Sequence, residues 1–416
     1  MRRHQYILYQ FYFSAIILTI LLATISCAIF DDSGDNNELQ HRQVNTDWPS
    51  LEDSPWPMYN HDPQNTGRSE YTGPGEDAAI LLEWTPNLQL QTSIALGHDD
   101  GIFLNTCLDS GGIHIKKINM NGNVIWNTIV GDDSYSYTTP TISTNSILYT
   151  SSNDGTIWAI STTDGSLLWE TYINDYIYSM SIVLDQEGNL YFPSWKHLNS
   201  INSQGTLRWS VPIEDLNQVG AISPDGLVLY YGSQSILYAI STTDGSIINS
   251  FRARSVLAPT VSNEGNLFFQ NGFDTSIVCL SPDFNVIWRY YVGREGGNNV
   301  STESGTLDYE GNYYTTASGK LWSLTFEGAL RWQIDLPDFG QSTALICDSE
   351  NNIYVLGYIT SGAGGSKIIS YTSNGELRWE IMSTFTSFYE VPAITSGGQL
   401  VVPVIGSRTR TLLIIG

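Results

Sequence analysis

From residue 80 to the end of the chain, short apolar and aromatic runs alternate with Gly, Asn and Asp clusters in a fixed order. One run follows an acidic or Asn/Gly turn: DGIFLN (100–105), NSILYT (145–150), EGNLYF (187–192), DGLVLYY (225–231), EGNLFF (264–269), EGNYYT (310–315), NNIYVL (351–356) and GGQLVV (397–402). A second is a strand such as TIWAIS (156–161), ILYAIS (236–241), KLWSLT (320–325) or TLLIIG (411–416). A weaker strand precedes each pair, as in TPTIS (139–143) and VPAIT (391–395). Runs this short, rich in β-branched and aromatic residues and bounded by turn formers, predict hairpin-linked strands.

A third phrase sets the period: a turn ending in Gly, three residues, then Trp. It reads NGNVIW (121–126), DGSLLW (164–169), QGTLRW (204–209), EGALRW (327–332) and NGELRW (374–379). In DGSIIN, Asn249 stands for Trp, and in DFNVIW (283–288) Phe284 stands for Gly; an isolated copy, ILLEW (80–84), precedes them all. Successive positions of this phrase are 39 to 47 residues apart. That period, in short strands, predicts a β-propeller built blade by blade.

The first three strand types occur eight times and the outer, Trp-bearing strand seven times after them, so ILLEW must complete the last blade. The expectation is an all-β, eight-bladed propeller of four-stranded antiparallel blades, with seven blades as the alternative. Closure by the N-terminal strand removes a free edge there. Trp84, Trp126, Trp169, Trp209, Trp288, Trp332 and Trp379 are the structural residues of the repeat, expected to pack between neighbouring blades.

AISTTDGSLLW (159–169) and AISTTDGSIIN (239–249) resemble the tryptophan-docking repeat of pyrroloquinoline-quinone-type propellers, with Ala159, Gly165 and Trp169 at its Ala, Gly and Trp positions. Ser161 and Asp164 depart from its usual Asp and Thr. WPMYNHDPQNTGRS (56–69) resembles the lead-in of bacterial proteins carrying these repeats. In size and layout the chain is nearest to a lipoprotein of outer-membrane barrel assembly within that group. The quinoprotein dehydrogenases of the same group would imply a quinone over calcium beneath a disulfide of adjacent cysteines. This chain has no adjacent cysteines and lacks long inter-blade insertions, so no cofactor and no metal are expected.

Arg2 and Arg3 precede an apolar stretch that ends at Cys27 and reads as an export signal. ThrIleSerCys (24–27) resembles a lipoprotein processing site with Cys27 lipidated; an ordinary signal peptide or an uncleaved anchor is the alternative. Attached acyl chains would hold the protein on a membrane. The expected order is a signal peptide (1–26), a disordered acidic tether (27–55), a lead-in docking on the propeller (56–77) and the propeller itself (78–416). AspAspSerGlyAspAsnAsnGlu (31–38) cannot bury a core, and Trp48, Trp56 and Tyr59 mark where the chain docks.

The formal net charge is −24. Such a surface disfavours nucleic acid and anionic lipid headgroups, which need Lys and Arg clusters, and favours solubility or cationic ligands. Cys107, Cys279 and Cys347 fall in blades 1, 5 and 7, too far apart for disulfides, and read as buried thiols. His4, His41, His61, His98, His114 and His197 form no HExxH, and no GxSxG elbow occurs. His61-Asp62, His98-Asp99, Asp132-Asp133 and the glycine-rich 293–299 belong to turns. Tyr135, Tyr137, Tyr172, Tyr176 and Tyr178 are candidates for a sugar-binding rim, with strand and loop packing as the plainer role. Together these features predict no enzyme but a monomeric, non-catalytic, lipid-anchored envelope scaffold, placed in the outer membrane of a Gram-negative-type bacterium. Its partners would be other envelope proteins, with outer-membrane protein assembly as the process. The alternative is a quinone-, metal- or glycan-binding propeller working as enzyme or sensor through its central funnel.

Overall fold

The structure is a computed structural model that describes residues 41–416, except 87–88, 91, 108–111, 132–133, 214–215, 255, 257–258, 294–303, 337–338, 360–364, 384–389 and 406–409. Cys27, the expected signal peptide, the acidic run 31–38, Asp132-Asp133 and most of the glycine-rich loop therefore lie outside the described residues.

Eight antiparallel sheets follow one another along the chain. Blade 2 shows the plan: Thr141–Ser143, Ile147–Ser151, Thr156–Ser161 and Leu167–Tyr172, from inner to outer strand. In blade 1 the inner strand is split into Gln89–Leu90 and Ala95–Leu96, both pairing with Ile102–Cys107. The last sheet contains Ala393–Ile394, Leu400–Ile405 and Arg410–Ile415 and is completed by Ile80–Trp84. Trp84 pairs with Leu412 and Ile80 with Ile415. The ring is thus an eight-bladed β-propeller closed by its own first strand, and the strand count had required that closure. Middle strands such as Leu267–Asn271 and Ser276–Leu280 are buried throughout, while outer strands are largely exposed. This matches continuous apolar runs in the first and alternation in the second.

The Trp-bearing outer strand of each blade leans on the third-to-fourth-strand turn of the next. Trp126 Nε1 donates to Thr162 O (3.0 Å), Trp169 to Ser203 O (3.0 Å), Trp209 to Thr242 O (3.1 Å), Trp288 to Phe326 O (2.8 Å) and Trp332 to Ser373 O (2.9 Å). Blade 8 has no such turn, because its outer strand comes from the N-terminal side. The lead-in fills the gap, and Trp379 Nε1 donates to Pro74 O (3.3 Å). Every indole of the repeat except Trp379 also lies against a turn glycine. A Cβ on Gly328 would sit 2.4 Å from the Trp288 ring, and one on Gly122 2.5 Å from Trp84.

Three blades carry a second device that the sequence analysis passed over. In Asp185-x-x-x-Asn189-x-Tyr191, Asp185 Oδ1 accepts the backbone N–H groups of Glu187 (2.9 Å) and Asn189 (2.8 Å). Its Oδ2 accepts Asn189 Nδ2 (2.8 Å) and the Tyr191 hydroxyl (2.7 Å). Arg208, on the outer strand beside Trp209, donates to the Tyr191 hydroxyl (2.8 Å) and to Ser200 Oγ (2.7 Å). Asp308, Asn312, Tyr314, Arg331 and Ser323 repeat the arrangement in blade 6, and Asp348, Asn352, Tyr354, Arg378 and Ser370 in blade 7. A buried carboxylate needs several donors and a nearby cation, so Asp and Arg occur together. Blades 1, 2, 4 and 5 lack this Asp, and at the Arg position they carry the exposed Ile125, Leu168, Ile248 and Ile287.

The strands run so that first-to-second and third-to-fourth turns share one rim of the ring, here the lower. The upper rim carries second-to-third hairpins and the crossovers between blades. The lead-in lies across the lower axial end and adds backbone hydrogen bonds to the inner strands of blades 1, 2, 4, 5, 6 and 7. Leu96 N donates to Trp56 O, Ile142 N to Pro57 O, Ile222 N to Pro63 O, Val261 N to Gln64 O, Leu307 N to Thr66 O and Cys347 N to Gly67 O. Trp48, Trp56 and Tyr59 are buried there. Arg68 is buried too; its guanidinium lies over the Tyr309 ring and donates to Leu307 O (3.1 Å) and Val44 O (3.0 Å). One boundary of the sequence reading moves. Residues 43–54, assigned to the tether, are bound to lower-rim turns: Val44 N donates to Asn263 Oδ1 (2.7 Å), Thr144 N to Ser50 O (2.9 Å) and Glu52 N to Ile142 O (3.0 Å). Their polar composition conceals this, since Gln43, Asn45, Thr46 and Ser50 bind through polar side chains alongside the backbone groups.

Gly328→Ala separates two roles of the turn glycine. It adds a Cβ against Trp288 and forces a residue with φ of 84° into the left-handed region. Gly319→Ala, at φ of 73° with nothing within 4 Å of its Cβ, adds only the second penalty. Urea unfolding should show Gly328→Ala costing about 1–3 kcal/mol more than Gly319→Ala. Equal losses would sink the claim that indole and glycine are locked together.

Candidate functional site

The crossover from blade 1 to blade 2 (134–139) and that from blade 2 to blade 3 (173–181) lie side by side on the upper rim, and backbone hydrogen bonds stitch them together. Thr139 N donates to Met180 O (2.9 Å), and Thr138 Oγ1 to Ser179 O (2.8 Å). The hairpins join the same frame: Asn153 N donates to Tyr135 O (2.9 Å), Ile173 N to Gly155 O (2.8 Å) and Trp195 N to Tyr176 O (2.9 Å). Loops fixed at so many points behave as an extension of the blades.

Asp175 is the central tie. Its Oδ2 accepts from Ser194 Oγ (2.7 Å) and Lys196 N (3.1 Å) and lies 3.1 Å from His197 Nδ1, while Oδ1 accepts Tyr176 N (3.0 Å). Partial burial would raise the pKa of this carboxyl, but the bonds from Ser194, His197 and two backbone N–H groups outweigh it and hold the pKa below its ordinary value. One ionised side chain therefore fastens the blade 2–3 crossover to the blade 3 hairpin.

These loops present a continuous row of rings. Tyr137 and Tyr178 meet edge to face with centroids 5.7 Å apart. Tyr178 and Tyr176 stack at 6.5 Å, and Tyr176 meets Trp195 edge to face at 6.1 Å. Trp195 is 66% exposed and Tyr178 51%. Of the five tyrosines singled out in the sequence, Tyr137, Tyr176 and Tyr178 come together. Tyr135 is half-buried against a core cluster, and Tyr172 stands exposed at the end of its outer strand. Trp195, the most exposed ring, was not among the sequence candidates. The only signal for it was a bulky ring inside the hairpin PSWKH, where a repeat role is impossible.

The other sequence candidates are placed apart from this row. His61 lies 3.4 Å from Asp62 Oδ2 and packs edge-on to Trp56, inside the lead-in. Burial acts on Asp62, but the bonds from His61 and Thr66 hold its carboxyl below the ordinary value. His98 pairs with Glu52 at 3.1 Å and Asp99 with Lys117 at 2.8 Å, both on the lower rim. A cavity of about 460 Å³ under the lead-in is lined by Trp48, Glu52, Ser54, His61, Asp62 and Glu70, among others. Cys107, Cys279 and Cys347 are buried free thiols, and burial pushes Cys279 and Cys347 well up. Among the described residues no three of His, Cys, Asp or Glu are grouped to hold a metal ion. The three thiols sit in separate blades and are not adjacent in the chain, so they do not form a disulfide of neighbouring cysteines.

Comparison with known proteins agrees with this architecture. Residues 196–359 match a family model described as outer membrane protein assembly factor BamB. BamB from Moraxella catarrhalis superposes with a TM-score of 0.60 at 10% identity, covering 81% of this chain and 99% of that one. A europium-containing methanol dehydrogenase gives 0.64 at 8% identity, covering 93% of this chain and 100% of that one. The quinohemoprotein alcohol dehydrogenase ADHIIG from Pseudomonas putida HK5 gives 0.61 at 10%, covering 88% and 80%. No curated protein matches by sequence. The chain is a β-propeller that resembles BamB and these quinoprotein dehydrogenases in fold.

The Asp175 tie sets an acid limit on the aromatic row. Its pKa is lowered in the folded protein, so its contribution is present above the unfolded value, taken as 3.8, and is lost as pH falls through the lower folded value. The emission of Trp195, taken as parent minus Trp195→Phe, should change on acidification through that window. Asp175→Ala should bring the acid-type emission to neutral pH, with a loss of about 1–3 kcal/mol for the severed bonds. Identical emission in Asp175→Ala and parent at neutral pH would remove Asp175 from this role.

Proposed function

We propose that this chain is a non-catalytic scaffold of the bacterial cell envelope, exported, lipid-anchored through Cys27, and binding other proteins in outer-membrane protein assembly. The match of residues 196–359 to the BamB family model supports this reading. So does a lower axial end already taken by the chain's own lead-in, which leaves the outer wall and upper rim for partners.

The observation that carries the proposal is the outer wall. Leu167–Tyr172, Ile247–Arg252 and Val286–Tyr291 each end their sheet, so each presents one edge of backbone donors and acceptors with no sheet partner. Exposed beside those edges are Leu167, Leu168 and Tyr172; Ile247 and Ile248; and Val286, Ile287 and Tyr291. An extended polypeptide can add to such an edge as a further strand, its side chains resting on the apolar flank. The dehydrogenases among the structural neighbours share the fold at 8–10% identity, a likeness that carries no activity across.

The test is affinity capture of the tagged, full-length protein from crosslinked, detergent-solubilised envelopes, with mass spectrometry of what is retained. Barrel-assembly components or unfolded barrel proteins should be enriched over a Cys27→Ala control. Ile248→Glu and Ile287→Glu, both at exposed sites, should melt as the parent does and lose most of that enrichment. Capture that is absent, or indifferent to both wall variants, would overturn the proposal.

A further inference from the structure

The geometry points to a carbohydrate-binding site on the upper rim, formed by Tyr137, Tyr178, Tyr176 and Trp195. This inference is independent of the scaffold reading, which rests on the outer wall.

The composition of the surface identifies the ligand class. In the segments 134–139, 152–156, 172–181 and 194–197, the exposed side chains are Tyr137, Asp154, Tyr172, Asn174, Tyr176, Tyr178, Trp195 and Lys196. Every exposed apolar group among them is aromatic and has a polar tip; the neighbouring exposed aliphatic, Ile129, stands at the end of the blade 1 outer strand. A lipid surface or an apolar helix would be met by Leu, Ile, Val or Met as well, and the outer wall shows that this chain uses such residues where it presents aliphatic surface. Rings without aliphatics fit a ligand whose faces are C–H and whose edges are O–H, which is a pyranose. Its weakly positive C–H face lies on the negative face of the ring, and its hydroxyls reach the flanking hydrogen-bonding groups.

Those flanking groups are in place and held. Asn153 Nδ2 donates to the Tyr176 hydroxyl (3.3 Å), and its Oδ1 accepts Tyr135 N (3.1 Å), which fixes the amide beside the row. Asp154 Oδ1 accepts from Thr156 N (3.0 Å) and Ser152 Oγ (2.5 Å). That fixes its carboxylate through one oxygen. Centroids 5.7–6.5 Å apart place the four rings in contact along one row. The row is a platform, and a platform with a net negative protein behind it favours an uncharged oligosaccharide over a polyanionic one.

Preorganisation makes the site effective. The crossovers and hairpins are tied by backbone bonds and by Asp175, so the rings need little ordering on binding, and the usual side-chain entropy cost is reduced. Asp175 is a positioning residue in this scheme.

Isothermal titration of the full-length protein with chito-, cello- and malto-oligosaccharides tests the inference, and the three series separate β-linked from α-linked chains and N-acetylated from plain sugars. Saturable binding of at least one series is expected. Trp195→Ala and Tyr178→Ala should each weaken it about tenfold, equivalent to ~1.4 kcal/mol. Leu227→Ala, an exposed site on the lower rim, should leave it unchanged, and thermal melting should show all three variants folded. No binding of any series, or binding unchanged in both ring variants, overturns the assignment. Loss of envelope-protein capture by the ring variants without any saccharide binding would also overturn it and give the row to a protein partner.

Discussion

The contact between a tryptophan of one blade and the glycine turn of the next is the constraint on which this structure depends. Blades are joined in sequence by crossovers, but their relative placement is set where the indole lies flat on a turn that has no side chain and donates Nε1–H to its backbone. An indole is large enough that truncation of a buried one costs about 3–5 kcal/mol, and the contact recurs around the ring. Where it fails, two changes compensate together. Asn249 replaces the indole, and its Nδ2 still donates to Asp283 O (3.1 Å). Phe284 then takes the glycine position at φ of 64° and fills the space the indole would occupy, stacking on Tyr230 with centroids 6.1 Å apart. Neither substitution fits without the other: Phe284 would collide with a tryptophan, and Asn249 beside a glycine would leave a void.

The same logic explains why the eighth junction needs residues from outside the repeat. Closing the ring with Ile80–Trp84 leaves blade 8 without a third-to-fourth-strand turn, so Trp379 and Arg378 have no neighbour of the usual kind. Pro74 supplies the carbonyl to both, Arg378 Nη2 at 2.9 Å and Trp379 Nε1 at 3.3 Å. The lead-in is therefore part of the ring's closure as well as a cover for its lower axial end. Its hydrogen bonds to successive inner strands join blades that have no contact with one another, and Arg68 pins it at blade 6.

The fold was legible in the sequence because every blade solves one packing problem with one set of residue types. Trp, Gly and apolar runs recur in register, and counting them was enough to require the N-terminal strand in blade 8. The Asp-Asn-Tyr-Arg network was equally visible, since DQEGNLY, DYEGNYY and DSENNIY each precede an LRW. It was missed because only three blades carry it. The lead-in was half legible: its aromatics marked docking, whereas residues 43–54 bind through backbone groups and short polar side chains, a composition that also reads as a solvated tether. The aromatic row was the least legible. Its tyrosines lie in two crossovers and its tryptophan in a hairpin of the next blade, and only the stacking of blades brings them together.

That difference bears on where function resides in such a ring. On the lower rim, turn residues are committed: glycines receive indoles, buried aspartates gather donors, and the lead-in covers the axial end. Change there is opposed by packing and by unpaired polar groups. The upper rim carries crossovers whose side chains the repeat does not dictate, and the outer wall carries strands paired on one side. An exposed Trp195 and its tyrosine neighbours satisfy no packing requirement of the blades, and hydrophobic surface left in water costs the folded state nothing only because it was exposed in the unfolded chain as well. Those rings are held side by side by Asp175 together with crossover-to-hairpin bonds of a kind that other blades also make, such as Val292 N to Thr275 O and Leu336 N to Gly319 O. The Asp175 tie is what distinguishes this part of the upper rim from the bonds the repeat makes elsewhere, and it is the physical ground on which a ligand is proposed there.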